Sequence, residues 1–261
     1  MARKRLYTAA AALILVVLAL GGRNAAAQST TRPAIDERAI AVLRTMSQTL
    51  ARASSLSFRA ESAIPIASPT GQWVHVFGAS RVLLRRPDRL YVETRGDLFP
   101  HNFYYDGKRV TMYAPDQNFY ATEEMSGRVH DVLLRMFEKH GNYFPFADVL
   151  HFEIHTAMTH SVTSAQFVGT STLGGVKTDH LAFAGGGLEW EIWIGAEDHL
   201  PRLLNVTFAE VTGRPHNSVA FADWQLEPAD VSDSKFTFEA PADAVQIEFR
   251  NPGPSPALQS K

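Results

Sequence analysis

The chain of 261 residues has no cysteine. That excludes disulfide staples, thiol nucleophiles, Cys-ligated zinc or iron–sulfur sites and a lipid-modified N-terminal Cys. An excess of either charge is also missing. The 25 basic and 27 acidic residues leave a net charge of −2, with no basic field for nucleic acid. Seventeen Gly and fourteen Pro are ordinary counts, so collagen-like and low-complexity chains are excluded. At 45% hydrophobic residues the chain has enough apolar surface to fold. Only one long apolar run is present, and no catalytic signature stands out.

That run lies at the N-terminus. Arg3, Lys4 and Arg5 precede twelve apolar residues from Ala9 to Leu20, then Gly21 and Gly22, then Ala25, Ala26 and Ala27. A positive start, a short apolar core and small residues at the end make a secretory signal peptide over 1–27. Retention as a membrane anchor is the competing reading, but a spanning helix needs about 20 apolar residues. Cleavage after Ala27 removes four basic residues and no acidic one, leaving 234 residues at a net charge of −6. A cysteine-free exported chain of this size must be held by its core alone, and it is long enough to build one.

A flexible segment over 28–34, a single domain over 35–250 and a flexible tail over 251–261 are expected. Ile35, Ala39, Val42, Leu43, Met46 and Leu50 recur at spacings of three and four, which predicts an amphipathic helix over about 36–53. Strand patterns follow at Leu56–Ala60, Trp73–Leu84, Leu90–Thr94, Phe103–Tyr105, Arg109–Tyr113 and Phe119–Ala121. Asp106-Gly107 marks a hairpin. Around Trp73–Phe77 both strand faces are apolar. Ser126 is read as an N-cap and Gly141 as the stop of a second helix, with a short helix from Pro145 to Leu150. Strands return at Lys177–Phe183, Leu188–Ile194, Leu203–Phe208, Ser218–Leu226 and Ala244–Phe249. Trp190, Ile192 and Ile194 should face the core and Glu189 and Glu191 the solvent.

Candidate chemistry is thin. His151, Glu153 and His155 would share a face on a strand, while on a helix His151 and His155 would lie one turn apart; either arrangement suits Zn²⁺. No His-Glu-x-x-His or Gly-x-Ser-x-Gly occurs in the mature chain. Gly185-Gly186-Gly187 lacks the Lys-Ser/Thr of a phosphate loop and reads as a hairpin turn. Glu123 and Glu124 precede a helix start, where they favour its dipole. Four Trp, seven Tyr and sixteen Phe serve either core packing or ligand contact.

Several runs carry a resemblance. Arg86-Pro87-Asp88-Arg89-Leu90, Phe103-Tyr104-Tyr105-Asp106-Gly107-Lys108, Tyr113-Ala114-Pro115 and Asn118-Phe119-Tyr120-Ala121 are similar to the periplasmic lipoprotein-carrier superfamily of LolA and LolB, which also includes a domain of a sigma-E regulator. The later runs are Gly174-Gly175-Val176, His180-Leu181-Ala182-Phe183, Trp190-Glu191-Ile192-Trp193-Ile194, Leu200-Pro201-Arg202-Leu203, Phe221-Ala222-Asp223-Trp224 and Phe236-Thr237-Phe238. They resemble a narrower family of uncharacterised predicted periplasmic proteins, the domain-of-unknown-function family numbered 2092. The resemblance implies a mainly-β α+β fold. Its strongly curved antiparallel sheet would form an incomplete barrel whose open side is plugged by helices around an apolar cavity.

The expectation is therefore an exported, soluble, periplasmic and non-enzymatic protein that binds a lipid, a lipoprotein acyl chain or another apolar ligand. Its cavity would be lined by Leu43, Met46, Leu50, Leu90, Val92, Trp190, Ile192 and Ile194. Its partners would be that ligand or a lipidated protein, with no nucleic acid, no cofactor, no metal and no membrane segment after signal cleavage. The alternatives are an envelope signalling module that binds a partner protein, and a metal-dependent hydrolase at His151, Glu153 and His155.

Overall fold

A computed structural model describes residues 34–97 and 100–250. The expected signal peptide, nearly all of the 28–34 segment and the 251–261 tail lie outside the described residues. Helix α1 spans Glu37–Arg52. Asp36 caps it by accepting the Arg38 amide at 2.9 Å, and Leu43, Met46 and Leu50 form its buried stripe. Six strands follow: β1 (Ser55–Ala67), β2 (Trp73–Arg85), β3 (Arg89–Gly96), β4 (His101–Tyr105), β5 (Arg109–Ala114) and β6 (Phe119–Glu124). Then come α2 (Val129–His140), a 3-10 turn (Ala147–Leu150) and α3 (Ile154–Thr159). The chain continues through β7 (Val162–Leu173), β8 (Val176–Gly185), β9 (Leu188–Gly195), β10 (Pro201–Phe208), β11 (His216–Leu226) and β12 (Val245–Ile247).

All twelve strands belong to one sheet in the order β12-β6-β5-β4-β3-β2-β1-β11-β10-β9-β8-β7. The meander from β1 to β6 and that from β7 to β11 are joined where β1 pairs with β11. The pairing is antiparallel throughout, except that β12 runs parallel to β6. The edges β12 and β7 remain separate, so the sheet is not closed into a barrel.

Alternation along the strands sorts the two faces. Leu56, Phe58 and Ala60 on β1, Val82 and Leu84 on β2, Leu90 and Val92 on β3, Phe103 and Tyr105 on β4 and Val110 on β5 are buried on one face. Arg59, Glu61, Arg81 and Glu93 lie on the other, linked by exposed ion pairs such as Arg81–Glu93 at 3.6 Å. The buried face, α1, α2 and the segment 144–154 form one contiguous apolar core. Among the described residues no helix is long and apolar enough to cross a membrane.

Several expectations need correction. Ser126 does not cap α2. The helix starts at Val129 with Arg128 as an uncapped N-cap, because the Val129 amide is drawn to the Pro87 carbonyl at 3.0 Å. Gly141 does stop it, at φ 70°, where its lack of a Cβ lets the amide reach back to the Phe137 carbonyl. Glu123 and Glu124 lie in β6, and Glu123 serves the last turn of α2 rather than a helix start. It accepts from Lys139 and from His140 Nε2, the latter at 2.7 Å. The short helix after Pro145 is only a 3-10 turn. Strand β7 and helix α3 have no counterpart in the sequence reading.

Candidate functional site

The eight residues expected around a ligand all reach the concave side. Leu43, Met46 and Leu50 on α1, Leu90 and Val92 on β3, and Ile192 and Ile194 on β9 have no exposed surface; Trp190 retains 7%. Glu189 points to solvent and Glu191 is half-buried. Helix α1 packs over β7, β8 and β9, and the Trp190 ring stacks on Phe183 at 3.9 Å. These side chains are packed into the common core.

Free space lies instead at one end of the concave face. The β1–β2 hairpin is long: thirteen residues pair in each strand, from Ser55 with Arg85 to Ala67 with Trp73. Its inner row runs through Ser62 and Gly78, Ile64 and Val76, and Ile66 and Val74 as cross-strand partners. Burial fades along that row, so Ile64 and Val76 are half-buried while Ile66 and Val74 are 40% and 36% exposed. The apolar inner face therefore continues past the residues that cover it.

The cover at this end is the segment from Tyr143 to Phe146. Between it and the hairpin lies a cavity of about 50 Å³. Its floor is made of small or polar groups. Ser62 Oγ donates to the Gly78 carbonyl at 3.2 Å, and the Ser80 and Thr94 hydroxyls bond each other at 3.0 Å. Phe144 and Phe146, both buried, form its inner wall. Tyr143 stands at the rim, 46% exposed. Its hydroxyl end turns inward to accept from Asn217 Nδ2 at 2.5 Å, and burial of that end pushes the phenol pKa well up. Asn217 Oδ1 is buried without a partner. The result is an apolar mouth with a small polar floor, and Arg95 and His101 complete the lining. It suits a chain that is mostly hydrocarbon, because burial of apolar surface is its main source of affinity.

The hairpin tip is tied down from its outer side. Trp73 Nε1 donates to the Thr212 carbonyl at 3.0 Å, and His75 Nε2 lies 3.1 Å from the His216 carbonyl. Nothing in the sequence marked this region beyond the apolar character of both faces around Trp73–Phe77.

His151, Glu153 and His155 do not form a ligand set. His151 precedes α3, its Nδ1 accepts the Glu153 amide at 2.9 Å, and the His155 amide donates to Ser47 Oγ at 3.1 Å. The one-turn spacing expected on a helix fails because α3 starts only at Ile154. Among the described residues no group of three or more His, Asp or Glu is placed to hold a metal.

Residues 39–250 match the model of a family described as predicted periplasmic proteins, DUF2092, and the chain belongs to that family. No curated protein matches it. Among solved structures it is similar to the Mycobacterium tuberculosis lipoprotein LppX, with 14% identity over 76% of this chain and 100% of that one, at a TM-score of 0.43. It is also similar to LprF from Mycobacterium bovis, with 11% identity, 76% and 97% coverage and a TM-score of 0.42. A LolA-superfamily protein from Nitrosomonas europaea shares 11% identity over 77% of this chain and 97% of that one, at a TM-score of 0.35.

Proposed function

We propose that this member of a predicted periplasmic family is a non-enzymatic binder of an apolar chain, such as a lipid or lipoprotein acyl group, which enters at the open end of the concave face. One observation carries the reading. The inner apolar row of the β1–β2 hairpin runs beyond its cover, leaving Ile66 and Val74 exposed beside a cavity walled by Phe144 and Phe146. A protein with no ligand there gains nothing from exposing a β-hairpin's inner face, since exposed apolar strand invites aggregation.

The cavity at this end holds only a fragment of an acyl chain. A longer stretch would displace Tyr143–Phe146 and then push into the core itself, where Leu43, Met46, Leu50, Leu90, Val92, Trp190, Ile192 and Ile194 would become its lining. Mature protein titrated with a fluorescent fatty acid should bind it saturably and release it to palmitate. Ser80→Leu, which fills the floor, should reduce that binding. Absence of saturable binding, or binding unchanged in Ser80→Leu, would refute the reading.

A second reading rests on the outer face. Phe77 is 61% exposed beside a groove of about 500 Å³ lined by Ala63, Ala79, Leu203 and Ala220. Such a patch suits a partner protein. If Leu203→Ser abolished acyl-chain binding while Ser80→Leu did not, the site would belong there instead.

A further inference from the structure

At the opposite end of β2 from the hairpin mouth, the chain turns through Arg86 and Pro87 and meets the start of α2. A separate cavity of about 360 Å³ lies here, lined by Arg86, Arg128, His130, Asp131, His151 and Phe152 among others. That volume falls in the range of small-molecule sites and exceeds the need of a single water.

Arg86 is the telling residue. Its Nη1 donates to the Leu150 carbonyl at 3.0 Å, but Nε and Nη2 are buried and have no partner. Those two nitrogens form one edge of the guanidinium plane, the edge whose parallel N–H groups meet two oxygens of one anion. Two buried guanidinium nitrogens left without acceptors are costly unless something fills them.

The other walls point the same way. His130 Nδ1 is buried without a partner. The His151 ring stands edge-on to it with centroids 4.2 Å apart. His151 Nδ1 accepts an amide, which puts that ring's N–H on Nε2. The Arg86 and Arg128 guanidinium groups both lie within 6 Å of the Phe152 ring, at 5.7 and 5.9 Å. Arg128 begins α2 without a side-chain cap, so the positive end of a twelve-residue helix adds to the field. Asp131 is the opposing charge on the cavity wall. Asp148 lies near His151, and burial pushes its carboxyl pKa up.

We propose that this cavity binds the phosphate group of a small anion or a lipid headgroup, with the Nε–Nη2 edge of Arg86 as its two-point anchor. A tetrahedral phosphate accepts from more directions than a planar carboxylate, which fits a lining that includes two arginines and two histidines. The inference does not rest on the acyl-chain reading, because the two sites lie at opposite ends of β2.

Calorimetric titration of the mature protein with inorganic phosphate tests it. Saturable one-site binding is expected, weakened about tenfold in Arg86→Lys, which keeps the charge and loses the fork. Arg86 also holds the Leu150 carbonyl, so His130→Gln and Arg128→Gln provide variants independent of that contact. Each should weaken phosphate binding severalfold with an unchanged melting temperature. Displacement of phosphate by phosphatidylglycerol vesicles would support a headgroup as the source. Displacement by glycerol 3-phosphate but not by vesicles would support a soluble ester. No binding at millimolar phosphate, or full binding in both His130→Gln and Arg128→Gln, overturns the proposal.

Discussion

Replacing Ile66 and Val74 together by Ser separates ligand contact from core packing. The two side chains face each other across the hairpin and are 40% and 36% exposed. Full burial of a Val or Ile side chain contributes about 1.5–3 kcal/mol. A bound chain can cover only the exposed share, which is roughly 0.6–1.2 kcal/mol at Ile66 and roughly 0.5–1.1 kcal/mol at Val74. The double variant should therefore lose about 1–2 kcal/mol of binding, roughly a 5- to 30-fold rise in Kd for a fatty acid. Folding loses something as well, because the remainder of each side chain is already covered, so the comparison belongs well below the melting transition. Fluorescent fatty-acid titration of wild type, the double variant and Leu203→Ser is the assay. An unchanged Kd in the double variant, with a loss in Leu203→Ser, would refute the reasoning.

Other outcomes follow from the same geometry. Ile192 is fully buried opposite Leu204 and Leu181. Ile192→Asp should cost on the order of 3–5 kcal/mol as an unpaired buried charge, and lower the melting temperature on the order of 10 °C; an unchanged melt would show that this side of the sheet is not packed. Glu123 is held below the usual carboxylate range by the Lys139 ammonium and the His140 ring. Its stabilising contribution should be full above pH about 4.5 and lost as the pH falls through its lower folded value. Glu123→Gln should lack it already at pH 7 and show a flatter acid-unfolding profile than wild type. Gly96 has φ 147°, and a Cβ there would meet the Phe77 carbonyl oxygen at 2.2 Å. Gly96→Ala should cost at least about 1–3 kcal/mol in denaturant unfolding, and an unshifted midpoint would contradict that contact.

Much of the fold was legible where one period dominated. The three- and four-residue spacing of Leu43, Met46 and Leu50 located α1, and the alternation at Trp190, Ile192 and Ile194 oriented β9 correctly. Strand β7 escaped because its apolar alternation is short. Ala165 and Phe167 are buried, but Ser, Thr and Gly fill much of the rest, and register shifts interrupt its pairing with β8. Helix α3 has only six residues, too few for a periodic signal. Strand β12 was read only from its β-prone residues, and its parallel pairing with β6 depends on where the chain returns.

The site was legible only in part. Periodicity says which residues face the concave side, and all eight do. Whether a gap remains there depends on how the volume of the covering segments matches the sheet, which no residue spacing encodes. The mouth at Ile66 and Val74 arises because β1 and β2 run past Phe144 and Phe146, a relation between segments about 80 residues apart. The two-sided apolar run at Trp73–Phe77 was its only sequence trace. The phosphate cavity had less still, since Arg86, His130 and His151 come from three separate segments.

The most direct test of the central claim is photo-crosslinking of the mature protein with a fatty acid that carries a diazirine on its chain, with the adducts mapped by mass spectrometry. The account predicts adducts on Ile64, Ile66, Val74 and Val76 and on the segment 143–146, suppressed by excess palmitate. Adducts confined to the outer face around Ala63, Ala79 and Leu203, or labelling that palmitate does not suppress, would contradict it.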